Sequence, residues 1–143
     1  EWEGRGVPVR LEIGPRDVSQ GQAMLARRTG GKVPVRLAEV APAALAALDA
    51  IQRDLLSQAR TRREQNSARG VTREQLIALM DGAGGLAYGG FCGSGKCEAE
   101  IKEATKATVR VLPDPEFRSH PAPTRCVWCG QAATAEAVWA KAY

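Results

Sequence analysis

Phe91-Cys92-Gly93-Ser94-Gly95-Lys96-Cys97 and the distant stretch Cys126-Val127-Trp128-Cys129-Gly130 together hold all four cysteines of the chain. The first pair is spaced C-x4-C and the second C-x2-C. Zinc takes four thiolates in a tetrahedron at about 2.3 Å each, and two short turns offering two thiolates apiece meet that demand. Glycines at 93, 95 and 130 allow the tight backbone that points amides at sulfur. The favoured reading is a closed structural zinc site with ligands Cys92, Cys97, Cys126 and Cys129. Three rivals stand beside it. Two disulfides would suit a secreted domain, but no signal-peptide pattern opens the chain. A redox pair at Cys126 and Cys129 leaves the other two cysteines without a purpose. Gly90 to Lys96 also reads G-x-x-x-x-G-K, a phosphate loop in which Cys97 stands where Ser or Thr would bind magnesium.

The 143 residues suffice for one ordinary domain or two small ones, and 44% hydrophobic with 25% charged residues predicts a globular chain. No run approaches the roughly 20 apolar residues of a membrane span. The net charge of +4 is uneven: residues 1–69 hold 12 Lys or Arg against 8 acids, and residues 70–143 hold 8 against 8. A one-sided excess suits an anionic partner such as RNA. Four cysteines without a signal sequence suit a reducing cytosol, so a cytoplasmic location is expected.

The chain opens at Glu1-Trp2-Glu3 with no initiator Met, as a fragment of a longer chain would. Val7 to Ile13 alternates at period two and predicts a strand with Val7, Val9, Leu11 and Ile13 inward. Gly14-Pro15 breaks it, placing Arg16 and Asp17 on a turn, where Asp17 alternatively just caps the next segment. Residues 22–28 and 33–37 predict two more strands around the Thr29-Gly30-Gly31-Lys32 turn. Leu45, Leu48, Ile51, Leu55 and Ala59 then follow a helical period, predicting a helix over about 41–65 with Pro42 near its start. Its arginines 53, 60, 62 and 63 read first as a solvated face, with an RNA-facing role as the alternative. Residues 66–70 read as a linker and domain boundary. Thr72 and Gln75 form a capping box, with Val71 and Leu76 as its hydrophobic staple. A strand over 86–91, a short helix over 98–104 opened by Cys97, and a strand over 108–112 follow. Four prolines between 113 and 123 predict an irregular loop without packed structure. His120, the lone histidine, reads as a surface residue. Residues 138–143 predict a last strand, with Val138, Ala140 and Ala142 on one side and Trp139, Lys141 and Tyr143 on the other.

Glu1-Trp2-Glu3, Gly6-Val7-Pro8-Val9-Arg10 and Glu12-Ile13-Gly14-Pro15-Arg16-Asp17 resemble the anticodon-binding domain of prolyl-tRNA synthetases. The C-x4-C, the C-x2-C and the ending Ala140-Lys141-Ala142-Tyr143 resemble the carboxyl-terminal zinc domain of the archaeal and eukaryotic-like type, also found in some bacteria. The resemblance runs in order through essentially the whole chain. It implies an α/β (α+β) fold: the end of an anticodon-binding domain with a mixed sheet over residues 1–69, then a small α+β zinc domain over 70–143. It also implies part of a class II ligase that activates proline with ATP and magnesium and attaches it to tRNA(Pro). None of the three class II catalytic motifs occurs here, so this piece alone is expected to be inactive. The catalytic domain of the same enzyme is the implied partner, in a homodimer with no membrane contact. Tyr143 inherits the family's carboxyl-terminal Tyr, whose carboxylate lies near the active site.

Proline anticodons carry two guanines. A carboxylate accepts from the N1–H and N2–H donors of guanine, and Arg reads O6 and N7 in a fork. Glu3 and Arg16 are the strongest candidates by resemblance, assisted by Arg10 and Asp17; the family more often carries Lys at position 16. The competing functions are a free-standing zinc module that binds nucleic acid and a protein-interaction module. The first predicts basic residues beside the cysteines, where the zinc half is charge-balanced. The second leaves the free carboxyl terminus without a role.

Overall fold

The computed structural model describes Trp2 and residues 4–142. The chain forms two compact units, Glu1–Thr61 and Arg62–Tyr143.

In the first unit, β1 (Val9–Glu12), β2 (Gln22–Arg27) and β3 (Lys32–Arg36) form an antiparallel sheet in the order β1-β2-β3. Arg16 and Asp17 do not lie on a plain turn. They sit in a short helix, α1 (Pro15–Ser19), which Pro15 opens because its missing N–H is not needed there. The Gly14 amide donates to Asp17 Oδ2 at 2.9 Å, so this carboxylate closes the start of α1. A 3-10 turn over Leu37–Glu39 leads into α2 (Val40–Gln65). Pro42 is its third residue, still among the amides that have no intrahelical acceptor. Of the expected stripe only Ile51 is buried, together with Ala47; Leu45 is 66% exposed, and Leu48 and Leu55 are also exposed. Leu11 and Ile13 are exposed too. Periodicity assigns these residues to a face, but it does not say whether that face is covered.

In the second unit, β4 (Ser67–Arg69), β5 (Leu86–Phe91), β7 (Ala135–Lys141) and β6 (Ala107–Val111) form a sheet in that order. Residues 67–69 are therefore a strand and not a linker. β4 runs parallel to β5, whereas β7 is antiparallel to both its neighbours. A parallel pair needs a crossover, and α3 (Arg73–Asp81) supplies it. The capping box forms as expected: Thr72 Oγ1 accepts from Gln75 N, and Gln75 Oε1 accepts from Thr72 N at 2.9 Å. Val71 and Leu76 are both buried.

α4 (Gly95–Thr105) starts two residues before Cys97, so this cysteine is the third helical residue and not the opening one. One face of the sheet packs Ala87, Phe91, Ala137 and Trp139 with Leu76 and Met80 of α3 and Ile101 of α4. Phe91 and Trp139 meet edge to face at 5.4 Å between ring centroids. Val138 and Trp139 are both buried, so β7 is covered on both sides. The proline-rich segment is not unpacked either. Pro113 and Ser119 are buried, Glu136 Oε2 accepts from Ser119 N at 2.8 Å, and Arg118 Nε donates to Pro113 O at 3.0 Å.

Candidate metal centre

Cys92 follows the end of β5, and Cys97 sits in the first turn of α4. Cys126 and Cys129 lie on a turn that docks against β5. The Val127 amide donates to Gly90 O at 2.8 Å, and the Thr134 amide to Phe91 O at 2.8 Å. Gly90 makes this approach possible: a Cβ there would stand 2.1 Å from the Arg125 carbonyl oxygen. That residue is thus pressed into a sheet and a knuckle, not into a phosphate-cradling loop. Gly130 closes the second turn with φ +71°, and its amide donates to Cys126 O at 3.0 Å.

The four Sγ atoms all lie within 4.8 Å of one another. Cys92 Sγ is 3.6 Å from Cys97 Sγ and 3.8 Å from Cys129 Sγ. A tetrahedron of thiolates at about 2.3 Å from zinc has edges of about 3.8 Å. The same separations are far beyond the roughly 2.05 Å of a disulfide, and all four cysteines are free. The donor set therefore fits a closed four-thiolate metal site. His120 is exposed and outside this cluster.

The electrostatics also favour a cation. Burial, followed by the neighbouring thiols of Cys129 and Cys92, pushes the Cys97 thiol up. Burial acts the same way on Cys126, but backbone hydrogen bonds at Cys129, Trp128 and Cys92 outweigh it and bring that thiol down. One proton thus leaves readily while another is held, chiefly because burial penalises a second thiolate and the neighbouring sulfurs add to that penalty. A dication at the centre removes that conflict.

Trp128, between the last two ligands, was not singled out from sequence, although an indole inside C-x2-C is a visible signal. It is buried, donates from Nε1 to Glu100 Oε2 at 2.7 Å, and carries the Arg73 guanidinium 3.8 Å over its ring. The turn is thereby tied to α3 and α4 at once.

In the first unit, Arg10 lines a cleft of ≈ 360 Å³ with Trp2, Val7, Leu11 and Glu12. Trp2 is the residue that sequence reasoning passed over there; it is 50% exposed, with the Arg5 guanidinium 5.2 Å over its ring. Arg16 is exposed on α1, and neither it nor Asp17 lines that cleft. Glu3 and Tyr143 lie outside the described residues.

A family model described as prolyl-tRNA synthetase, C-terminal, matches residues 73–143. Proline–tRNA ligase 2 of Clostridioides difficile is 40% identical over the whole chain, which covers 29% of that protein. A proline–tRNA ligase of Symbiobacterium thermophilum is 41% identical, again over the whole chain and 30% of its own length. The chain belongs to the carboxyl-terminal part of the prolyl-tRNA synthetase family. A crystal structure of the Cryptosporidium parvum prolyl-tRNA synthetase, solved with halofuginone and AMPPNP, superimposes on 99% of the chain with a TM-score of 0.83. At 24% identity and 30% of that enzyme's length, this match speaks for the fold alone. Relative to prolyl-tRNA synthetases, then, the chain spans under a third of the length. No helix among the described residues is long and apolar enough to cross a membrane.

Proposed function

We propose that this chain is the part of a proline–tRNA ligase that reads the anticodon of tRNA(Pro) and carries a structural zinc. The observation that supports this most is the match to proline–tRNA ligases along all of the chain, ending in a four-thiol cluster of tetrahedral dimensions. The anticodon portion is assigned to the unit Glu1–Thr61 and the zinc domain to the unit Arg62–Tyr143, which takes in β4, in place of the expected division at 69/70. ATP, magnesium and proline bind elsewhere in the complete enzyme, which is a cytoplasmic homodimer on this reading.

Glu3 and Arg16 are assigned to the anticodon guanines, assisted by Arg10 and Asp17. A carboxylate accepts the paired donors on the Watson–Crick edge, and guanidinium forks take O6 and N7. Asp17 keeps one oxygen on the Gly14 amide, which fixes α1 and with it the exposed Arg16. Cys92, Cys97, Cys126 and Cys129 would hold zinc, which contributes folding free energy to the second unit. Tyr143 is assigned to the approach of the carboxyl terminus to the catalytic domain.

The test is Glu3→Ala and Arg16→Ala in the complete enzyme. Each good bidentate contact is worth roughly 1–3 kcal/mol of discrimination. The tRNA Michaelis constant should rise, and the penalty for swapping an anticodon guanine should shrink. Full discrimination in both variants refutes the assignment.

A further inference from the structure

The sheet of the second unit uses its two faces differently. One packs on α3 and α4; the other carries Tyr88 and Val138 and is crossed by the proline-rich strap of residues 112–123. A cleft of ≈ 340 Å³ opens there, lined among others by Arg63, Tyr88, Arg110, Asp114 and Phe117.

The two cations that line this cleft, Arg63 and Arg110, are both arginines, and Arg69 reaches Phe117 beside them. Arg63 lies 5.1 Å over the Phe117 ring, and Arg69 lies 4.1 Å over Tyr88 while donating to Phe117 O at 3.0 Å. Glu64 holds both guanidiniums, at 2.8 and 3.4 Å. Arg110 falls at the irregularity of β6 between Val109 and Val111, outside the regular ladder. Its Nε donates to Ala140 O at 3.2 Å, and no carboxylate pairs with it among the described residues. By contrast, Lys96 and Lys102 belong to α4 and Lys106 to its C-cap. Arg offers a rigid fork for phosphate and a flat face for a ring, neither of which Lys has. Phe117 keeps 39% of its surface exposed beside these forks.

We propose that this cleft binds a single-stranded segment of RNA. Arg63 and Arg110 take the phosphodiester, a base stacks on Phe117, and Asp114 accepts from that base's amino group. The pairing of aromatic ring and guanidinium is how single strands are held without sequence readout. The inference rests on the reading of this chain as part of a tRNA ligase, and it names a second contact outside the anticodon guanines. Asp114 also separates it from a site for bare polyphosphate, which a carboxylate repels.

The experiment uses the complete enzyme and a tRNA(Pro) transcript, with zinc content and melting temperature checked for each variant. Phe117→Ala should weaken transcript binding roughly tenfold, the scale of losing one stacked base. Arg110→Ala should lower the slope of log affinity against log salt by about one. Arg110→Lys should restore the slope but not the full affinity. Both losses should be the same for transcripts with swapped anticodon guanines, whereas the loss in Arg16→Ala should shrink when those guanines are swapped. The anticodon reading can therefore fail while this contact stands, and the reverse. Unchanged affinity and slope in folded variants, as when a protein surface covers the cleft, overturn the proposal. So does inorganic tripolyphosphate competing at the concentration of a ten-nucleotide RNA.

Discussion

The amide of Val127 meets the carbonyl of Gly90 at 2.8 Å, and this bond joins the two cysteine-bearing turns, which are over thirty residues apart in sequence. It brings Cys126 and Cys129 against the end of β5, where Cys92 waits. The geometry of the four thiols thus depends on a residue with no side chain. Gly90→Ala would put a methyl group 2.1 Å from the Arg125 carbonyl oxygen, and the turns must part to admit it. Overpacking of this kind costs about 1–3 kcal/mol, occasionally more, and here metal binding is lost with it. Urea unfolding and metal content of the purified variant check both.

Removing a ligand should unfold the second unit selectively. With Cys126→Ser, or after chelation, amide exchange should rise across residues 62–143, because structural zinc supplies folding free energy directly. An unchanged exchange pattern in metal-free protein would count against a structural site.

Zinc affinity should rise with pH. A thiol must lose its proton to ligate, and Cys97 is pushed up by burial and its neighbouring thiols, so it remains protonated at neutral pH without metal. Binding then releases that proton, and lowering the pH returns it and weakens the site. Competition with a zinc indicator at pH 6 and pH 8 measures this; tighter binding at pH 6 contradicts it.

Trp128 should report on the metal turn. Its indole N–H donates to Glu100 Oε2 at 2.7 Å. Glu100→Ala leaves that donor without its acceptor, at a cost of roughly 1–3 kcal/mol, whereas Glu100→Gln keeps an acceptor and should cost less. Denaturation followed by tryptophan fluorescence separates the two.

The strap should loosen without Glu136. This buried carboxylate accepts the buried Ser119 amide at 2.8 Å. Glu136→Ala removes the acceptor, costing roughly 1–3 kcal/mol, and limited proteolysis should then cut within residues 112–123 first. A cleavage pattern identical to the parent's would show that Arg118 and Pro113 hold the strap by themselves.

Local chemistry made much of this protein legible. The capping box at Thr72 and Gln75, the strands flanking Gly30-Gly31, and the paired cysteine spacings involve residues a few positions apart, so sequence alone determined them. It determined the donor set of the metal centre for the same reason. What it did not decide is which surfaces meet. Residues 67–69 became a strand because β5 offers a parallel edge. The proline-rich segment became a packed strap because Glu136, Arg69 and Arg118 reach its backbone. Leu45 stands exposed on a helix face whose period alone placed it inward. Each outcome rests on a hydrogen bond or a packing partner distant in sequence. Periodicity reports only the face on which a side chain lies, and tertiary structure decides what stands opposite.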